Sequence, residues 1–259
     1  MSKTVITDLL TALNLPLGCR VDQRVPKKLL VENGAHTAAD KRKINEGIEE
    51  LYWLASLKPN TIGVTDFTDD TREYLEIALL SVTLRAEAKA VRLAELIHRA
   101  IPYPLFLVLL QGDQIVISLA HKRRAQNEAG KFVLDGDIVE VTVTGNLSLS
   151  AEVSRCFLDA MALGSQPRAN LLLLYQGWID TLIALQASKL TGTFIQAATK
   201  EASIGRREAV QMCRELETKI AVLRSTAVKE KQVARRVELN LEIKRLITGL
   251  AEMNVKLLA

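Results

Sequence analysis

The chain has 259 residues, 48% hydrophobic and 25% charged, with a formal net charge of +4, enough for one large domain or about two smaller ones. Its most apolar stretch, from Ile101 to Leu110, is interrupted by two prolines and falls short of the roughly 20 residues of a membrane span. The opening "MSKTVITDLLTALNL" is amphipathic rather than leader-like, and Cys19, Cys156 and Cys213 are too scattered for a disulfide framework or a zinc pattern. A soluble cytoplasmic protein with free, mostly buried thiols is expected.

In chain order, residues 15–34, "LPLGCRVDQRVPKKLLVENG", hold two prolines and two glycines and predict extended chain with turns. Thr37 with Asp40 three residues on reads as the N-cap of a helix carrying Ile44, Ile48, Leu51 and Leu54 or Ala55 on one face. That helix should end near Lys58, because Pro59 biases the preceding residue away from the α region. "NTIGVTDF" is expected as a short strand and "EYLEIALLSVTL" as a longer one.

"EAKAVRLAELIHRAI" places Ala90, Leu93, Ala94, Ile97, Ala100 and Ile101 on one face and stops at Pro102, which predicts a helix packed on a sheet. The two apolar runs around Gln111-Gly112-Asp113-Gln114 signal a hairpin, and the continuous hydrophobicity of Leu105 to Leu110 predicts a central strand covered on both faces. Strands continue through "GKFVLDGDIVEVTVTG", where Val139, Val141 and Val143 alternate. Residues 1–145 therefore read as an α/β domain with a mixed sheet.

Residues 146–205 read as helical, with Pro167 in the first turn of the second helix. Trp53 and Trp178, beside Leu51, Leu54, Leu174 and Ile179, read as core residues. Over residues 206–259, Leu216, Ile220, Leu223 and Ala227 step by 4, 3 and 4. Leu239, Ile243, Leu246, Leu250, Met253 and Leu257 repeat that spacing in a register two places late. Either one helix about 75 Å long shifts its seam between partners, or the chain turns back near residues 226–231 into a hairpin; the absence of Gly and Pro favours the continuous helix. The expected class is α+β: an N-terminal mixed-sheet domain, then a helical region ending in a long coiled-coil-like helix.

Several separated segments together resemble the bacterial family catalogued as domain of unknown function 4391. They are Arg24-Val-Pro-Lys-Lys28, Ile48-Glu-Glu-Leu-Tyr-Trp53 with Leu57-Lys-Pro-Asn-Thr-Ile62, Ile101-Pro-Tyr-Pro104, His121-Lys-Arg123, and Lys229-Glu-Lys-Gln232 with Val237-Glu-Leu-Asn240. The chain departs from the family pattern at Val233 and Ala234, where a larger and a polar residue are usual. The resemblance implies no established activity. Its members tend to be encoded beside helicases and DNA methyltransferases, which implies a role in a restriction-like phage-defence system.

For catalysis the residues offer little. His36, His98 and His121 are isolated, no nucleophile elbow exists, and no phosphate-binding glycine loop is present, so no cofactor, resident metal or nucleotide hydrolysis is expected. A metal-dependent nuclease would need converging carboxylates, for which Asp66, Asp70, Glu73 and Glu76, with Asp69, are the candidates. No lysine stands two places after Glu76, and a solvated turn is the competing reading.

Basic residues carry a nucleic-acid hypothesis: Lys27 and Lys28 after Pro26, and Lys122, Arg123 and Arg124 at the hairpin end, could neutralise phosphates. Lys41, Arg42 and Lys43 read as an ordinary solvated helix face, and 4% aromatic residues argue against a stacking platform. Residues 200–259 hold thirteen Lys and Arg against eight Asp and Glu, a net of +5; with +4 for the whole chain, the rest comes to −1. The stretch "KEKQVARRVELNLEIKRL" thus reads as a partner-binding element with Lys229, Gln232, Arg235, Arg236, Glu238 and Asn240 as its polar face. The competing reading is a solvated stretch between two seams.

The expectation drawn from residues and resemblance together is a non-catalytic accessory or assembly subunit. It would self-associate through the C-terminal helix or dock to a helicase or DNA methyltransferase, with the basic hairpin end as a candidate DNA contact. A nuclease and a stand-alone DNA-binding protein are the alternatives.

Overall fold

The computed structural model describes residues 2–126, 128, 130–143 and 150–258. Helix α1 (Ser2–Leu13) precedes strand β1 (Arg20–Arg24), helices α2 (Lys27–Gly34) and α3 (Ala38–Gly47), strand β2 (Ile48–Leu57) and the short helix α4 (Pro59–Ile62). Strands β3 (Phe67–Thr68), β4 (Glu73–Tyr74) and β5 (Ile77–Leu84) lead to helix α5 (Ala90–Ala100) and the hairpin of β6 (Leu105–Gln111) and β7 (Gln114–Leu119). Strands β8 (Lys122–Arg124), β9 (Phe132–Leu134) and β10 (Val139–Thr142) are followed by helices α6 (Ala151–Met161), α7 (Leu171–Thr191), α8 (Lys200–Lys229) and α9 (Val233–Leu258). The class is α+β.

The main sheet runs β1-β2-β5-β6-β7-β10 and is antiparallel except for the parallel β5–β6 pair, which α5 connects as a crossover. β5 and β6 lie in the middle and are buried almost throughout, which explains why their sequences show no alternation. Leu105, Leu107 and Leu109 join Leu93, Ala94 and Ile97 of α5 in one core. Phe106 points the other way and meets Trp178 of α7 edge-on at 5.2 Å. The hairpin turns at Gly112 with φ 57°, a conformation glycine adopts without steric cost. β8 pairs with β9, and β3 with β4, as separate two-stranded ribbons.

Contacts divide the chain into two compact units: Met1–Ser148 with Ser154–Leu182, and Leu149–Val153 with Ile183–Ala259. The first holds the sheet, most of α6 and α7 up to Leu182, so the helical region expected over residues 146–205 is split rather than separate. The boundary expected at 145/146 lies outside the described residues.

Four local expectations are corrected. Thr37 does cap α3, its hydroxyl accepting from Asp40 N at 3.1 Å, but the helix stops at Gly47 and Ile48–Leu57 is a strand. A helical stripe and a buried strand share the apolar positions Ile48, Leu51 and Ala55, and pairing with β1 and β5 decides between them. Residues 15–34 contain α2 as well as β1, and "NTIGVTDF" contributes to α4 before the left-handed Gly63. Pro167 is not in the first turn of α7, which starts at Leu171 with Asn170 Oδ1 accepting from Leu173 N at 2.9 Å.

The last correction concerns the tail, which is a hairpin. Glu230 adopts an extended conformation (φ −74°, ψ 125°) and ends α8; its carboxylate accepts from Gln232 N at 2.8 Å, and α9 begins at Val233. Extended backbone is open to every residue, so a reversal needs neither Gly nor Pro. The two heptad seams face each other: Ile220, Ala227 and Ile243 are buried, with Leu223, Leu239, Leu246 and Leu250 packed around them. The three-residue turn accounts for the displaced register.

Candidate functional site

Three places gather the residues singled out by chemistry. The first is the turn between β3 and β4 with the β8–β9 ribbon. Asp69 accepts from Thr71 N (2.7 Å), Thr71 Oγ1 (2.9 Å) and Arg72 N (2.6 Å), and these bonds hold its carboxyl below the usual range. Asp66 and Asp70 are exposed. Glu73 pairs with Arg124 at 2.9 Å, and Arg72 and Arg123 both approach Asp135, at 2.5 and 4.0 Å. Glu76 is buried apart from them, accepting from Ser56 Oγ at 2.8 Å with Lys58 Nζ at 3.2 Å. The acids thus make turns and ion pairs, and among the described residues no three His, Cys, Asp or Glu side chains are grouped to hold a metal.

The second is a buried polar column under the β7–β8 junction. Lys122 is 2% exposed and its ammonium donates to the Ile101 carbonyl; burial pulls its pKa down to about 7. His98 Nε2 lies 3.0 Å from Ser118 Oγ, which donates to Glu140 Oε1 at 3.2 Å, while His98 Nδ1 has no hydrogen-bond partner. Burial, and then the Lys122 charge, push the His98 pKa down to about 3, so it is neutral.

His121 Nε2 is 2.7 Å from Gln176 Oε1, which can only accept; a neutral ring therefore carries its proton on Nε2 and takes the Tyr74 hydroxyl on Nδ1 at 2.6 Å. Gln176 Nε2 passes the chain on to Asp180 at 2.8 Å. Tyr175 hydroxyl accepts from Ala120 N at 3.0 Å and donates to Leu105 O at 2.8 Å, and burial raises the pKa of both tyrosines. Of the cations assigned to phosphate contact, Lys122 is thus enclosed. Arg123 and Arg124 stand in ion pairs, Lys28 pairs with Glu32 at 3.4 Å, and Lys27 donates to the Ile48 carbonyl.

The third place is the tip of the α8–α9 hairpin. Residues 219–245 hold eight Lys and Arg against three Glu, while residues 200–218 hold four of each sign and 246–259 one of each, so the whole +5 resides in the tip half. Arg235 pairs with Glu230 at 3.5 Å and Arg245 with Glu242 at 3.7 Å. Lys219, Arg224, Lys229, Lys231, Arg236 and Lys244 are exposed and make no ion pair among the described residues. Glu238 and Asn240 are exposed as well, and Gln232 takes part in the turn. Apolar side chains also stand in solvent here among the cations: Val222, Val228 (86% exposed), Val233, Val237 and Leu241.

Comparison with known proteins adds the family. The profile described as Domain of unknown function (DUF4391) matches residues 13–250. The chain belongs to the DUF4391 family. No curated protein and no solved structure matches it. The geometry gives the segments that carry the DUF4391 resemblance a structural reading, because they meet in pairs. Lys27 reaches Ile48 O and Val25 N donates to Leu51 O at 2.9 Å, joining the first segment to the second. Lys122 reaches Ile101 O, joining the third to the fourth. The hairpin-tip segments differ: apart from Leu239 in the seam, the Glu230–Arg235 ion pair and the turn bonds of Glu230, Gln232 and Arg236 N, their side chains face water.

Proposed function

We propose that this DUF4391 protein is a non-catalytic assembly subunit of a cytoplasmic, restriction-like phage-defence system, docking through the α8–α9 tip onto a helicase or DNA methyltransferase. The setting rests on the tendency of members of the resembled family to be encoded beside helicases and DNA methyltransferases. The observation that carries the assembly role is the tip itself: a hairpin whose inner seam is already satisfied, yet which keeps six unpaired cations and five exposed aliphatic residues at one end. A helix pair whose only task was its own stability would leave those apolar side chains polar.

A DNA contact is the second reading, supported by the same unpaired cations, which can neutralise phosphates in a sequence-blind way. Self-association through the tip is less favourable, because two copies would set +5 against +5.

The test is co-expression of the tagged full chain with the products of the genes adjoining its own, screened for a helicase or a DNA methyltransferase. One of them is expected to copurify with the wild type and to be lost with Lys229→Glu/Arg236→Glu. Retention of neither would refute the assembly reading. Mg²⁺- or Mn²⁺-dependent DNA cleavage by the purified chain, abolished in Glu76→Ala, would replace it with the nuclease.

A further inference from the structure

We propose that the outer face of α9 at the hairpin tip is a docking site for an acidic amphipathic helix of a different protein; this deepens the assembly reading and rests on it. Val233, Val237 and Leu241 step by four and stack on one ridge, 65%, 52% and 54% exposed. Thr248, Ala251 and Val255 continue that face toward the end of the helix, roughly opposite the inward seam of Leu239, Ile243, Leu246 and Leu250. α9 therefore carries two apolar stripes, and α8 covers only one.

Leu241 also borders an open depression of 470 Å³ with Arg235, Glu238, Leu239, Glu242 and Arg245, on the flank of α9 between this ridge and the seam.

Charge selects the occupant. The ridge lies where the hairpin has its entire net charge of +5, beside the unpaired Lys229, Lys231, Arg236 and Lys244. A second copy of this chain would bring either the same positive tip or a neutral half. A phosphate backbone would satisfy the cations but gain nothing by covering three aliphatic side chains. A helix with an apolar stripe flanked by Asp or Glu satisfies both at once: leucine-type knobs enter between Val237 and Leu241, and carboxylates pair with the flanking cations.

The probe is a fluorescently labelled peptide of about four heptads with Leu at a and d and Glu at e and g, whose own glutamates keep it from pairing with itself. Its anisotropy is followed against the full-length protein. Wild type is expected to bind it, more weakly as salt rises. Binding should weaken by about tenfold or more in Leu241→Asp and in Lys229→Glu/Arg236→Glu, whose circular dichroism should match wild type because these positions are exposed. The same peptide with Lys for Glu should not bind.

No binding of the Glu peptide, or equal binding of the Lys peptide, overturns the proposal. A short duplex DNA whose binding is lost with the charge reversal but kept in Leu241→Asp, while the peptide is ignored, assigns the tip to phosphate instead. A dimer that Leu241→Asp dissociates puts a second copy on the ridge and also overturns it. Copurification of the helicase or methyltransferase that survives Leu241→Asp refutes this ridge and leaves the assembly role standing. Absence of any copurifying partner refutes the assembly role whatever the peptide does.

Discussion

Lys122 shows how little a run of three cations says about any one of them. In an extended strand successive side chains point to opposite faces, so Lys122, Arg123 and Arg124 could not all present one surface; which of them enters the core is set by the distant Ile101 carbonyl, to which Lys122 donates. Its burial has a pH signature. The folded pKa is about 7 against an ordinary 10.5, so between those values the unfolded chain keeps a proton that the folded chain has lost, and stability rises with pH across the window. Urea unfolding at pH 7 and pH 9 should show a gain on the order of 2 kcal/mol, and Lys122→Met should flatten it. His98 acts at the other end: with its pKa lowered from 6.5 to about 3, stability falls as pH drops from 6.5 toward 3. His98→Gln should retain more stability than wild type at pH 4 relative to pH 7, measured by thermal melts at both values.

At the scale of elements, periodicity identified α5, the β6–β7 hairpin and both tail seams, because each is a strong pattern closed by local punctuation: Pro102, Gly112 and the heptad steps. It failed where two periods fit the same residues, as at Ile48–Leu57, and where a turn used no turn residue, as at Glu230. Two contacts invisible in sequence now make predictions. A Cβ on Gly34 would stand 2.7 Å from Ala100 Cβ and from Leu96 O, so α2 and α5 approach through this glycine. Gly34→Ala should cost about 1–3 kcal/mol by chemical denaturation.

In the hairpin, Ile243 is in the seam and Leu241 is not, although both are branched aliphatics two residues apart. Ile243→Ala should destabilise the tail helices by about 2 kcal/mol or more in far-ultraviolet melts, whereas Leu241→Asp should change stability by less than about 0.5 kcal/mol.

For the whole molecule, the dominant electrostatic fact is that a net charge of +5 is confined to residues 219–245 while the chain carries +4 in total. Like charge at the tip opposes self-association there. Light scattering at two concentrations should return the monomer mass of 28.6 kDa in low salt. A stable dimer in low salt that is lost in the tip variants would contradict this. Among the described residues no helix is long and apolar enough to cross a membrane.

The sequence by itself determined the α+β class, the central strands, the helix packed on them, the family and the basic tail. Those properties are written in local periodicity, local composition or summed charge, none of which needs to know where the chain goes next. Only the tertiary structure decided that the apolar stripe after Gly47 is a strand, that Lys122 is enclosed, that Arg72 and Arg123 converge on Asp135, and that the tail doubles back. Each of these depends on a partner that is distant in sequence or on a backbone angle that any residue can adopt. The same folding back decides which apolar residues of α9 pack against α8 and which stay exposed.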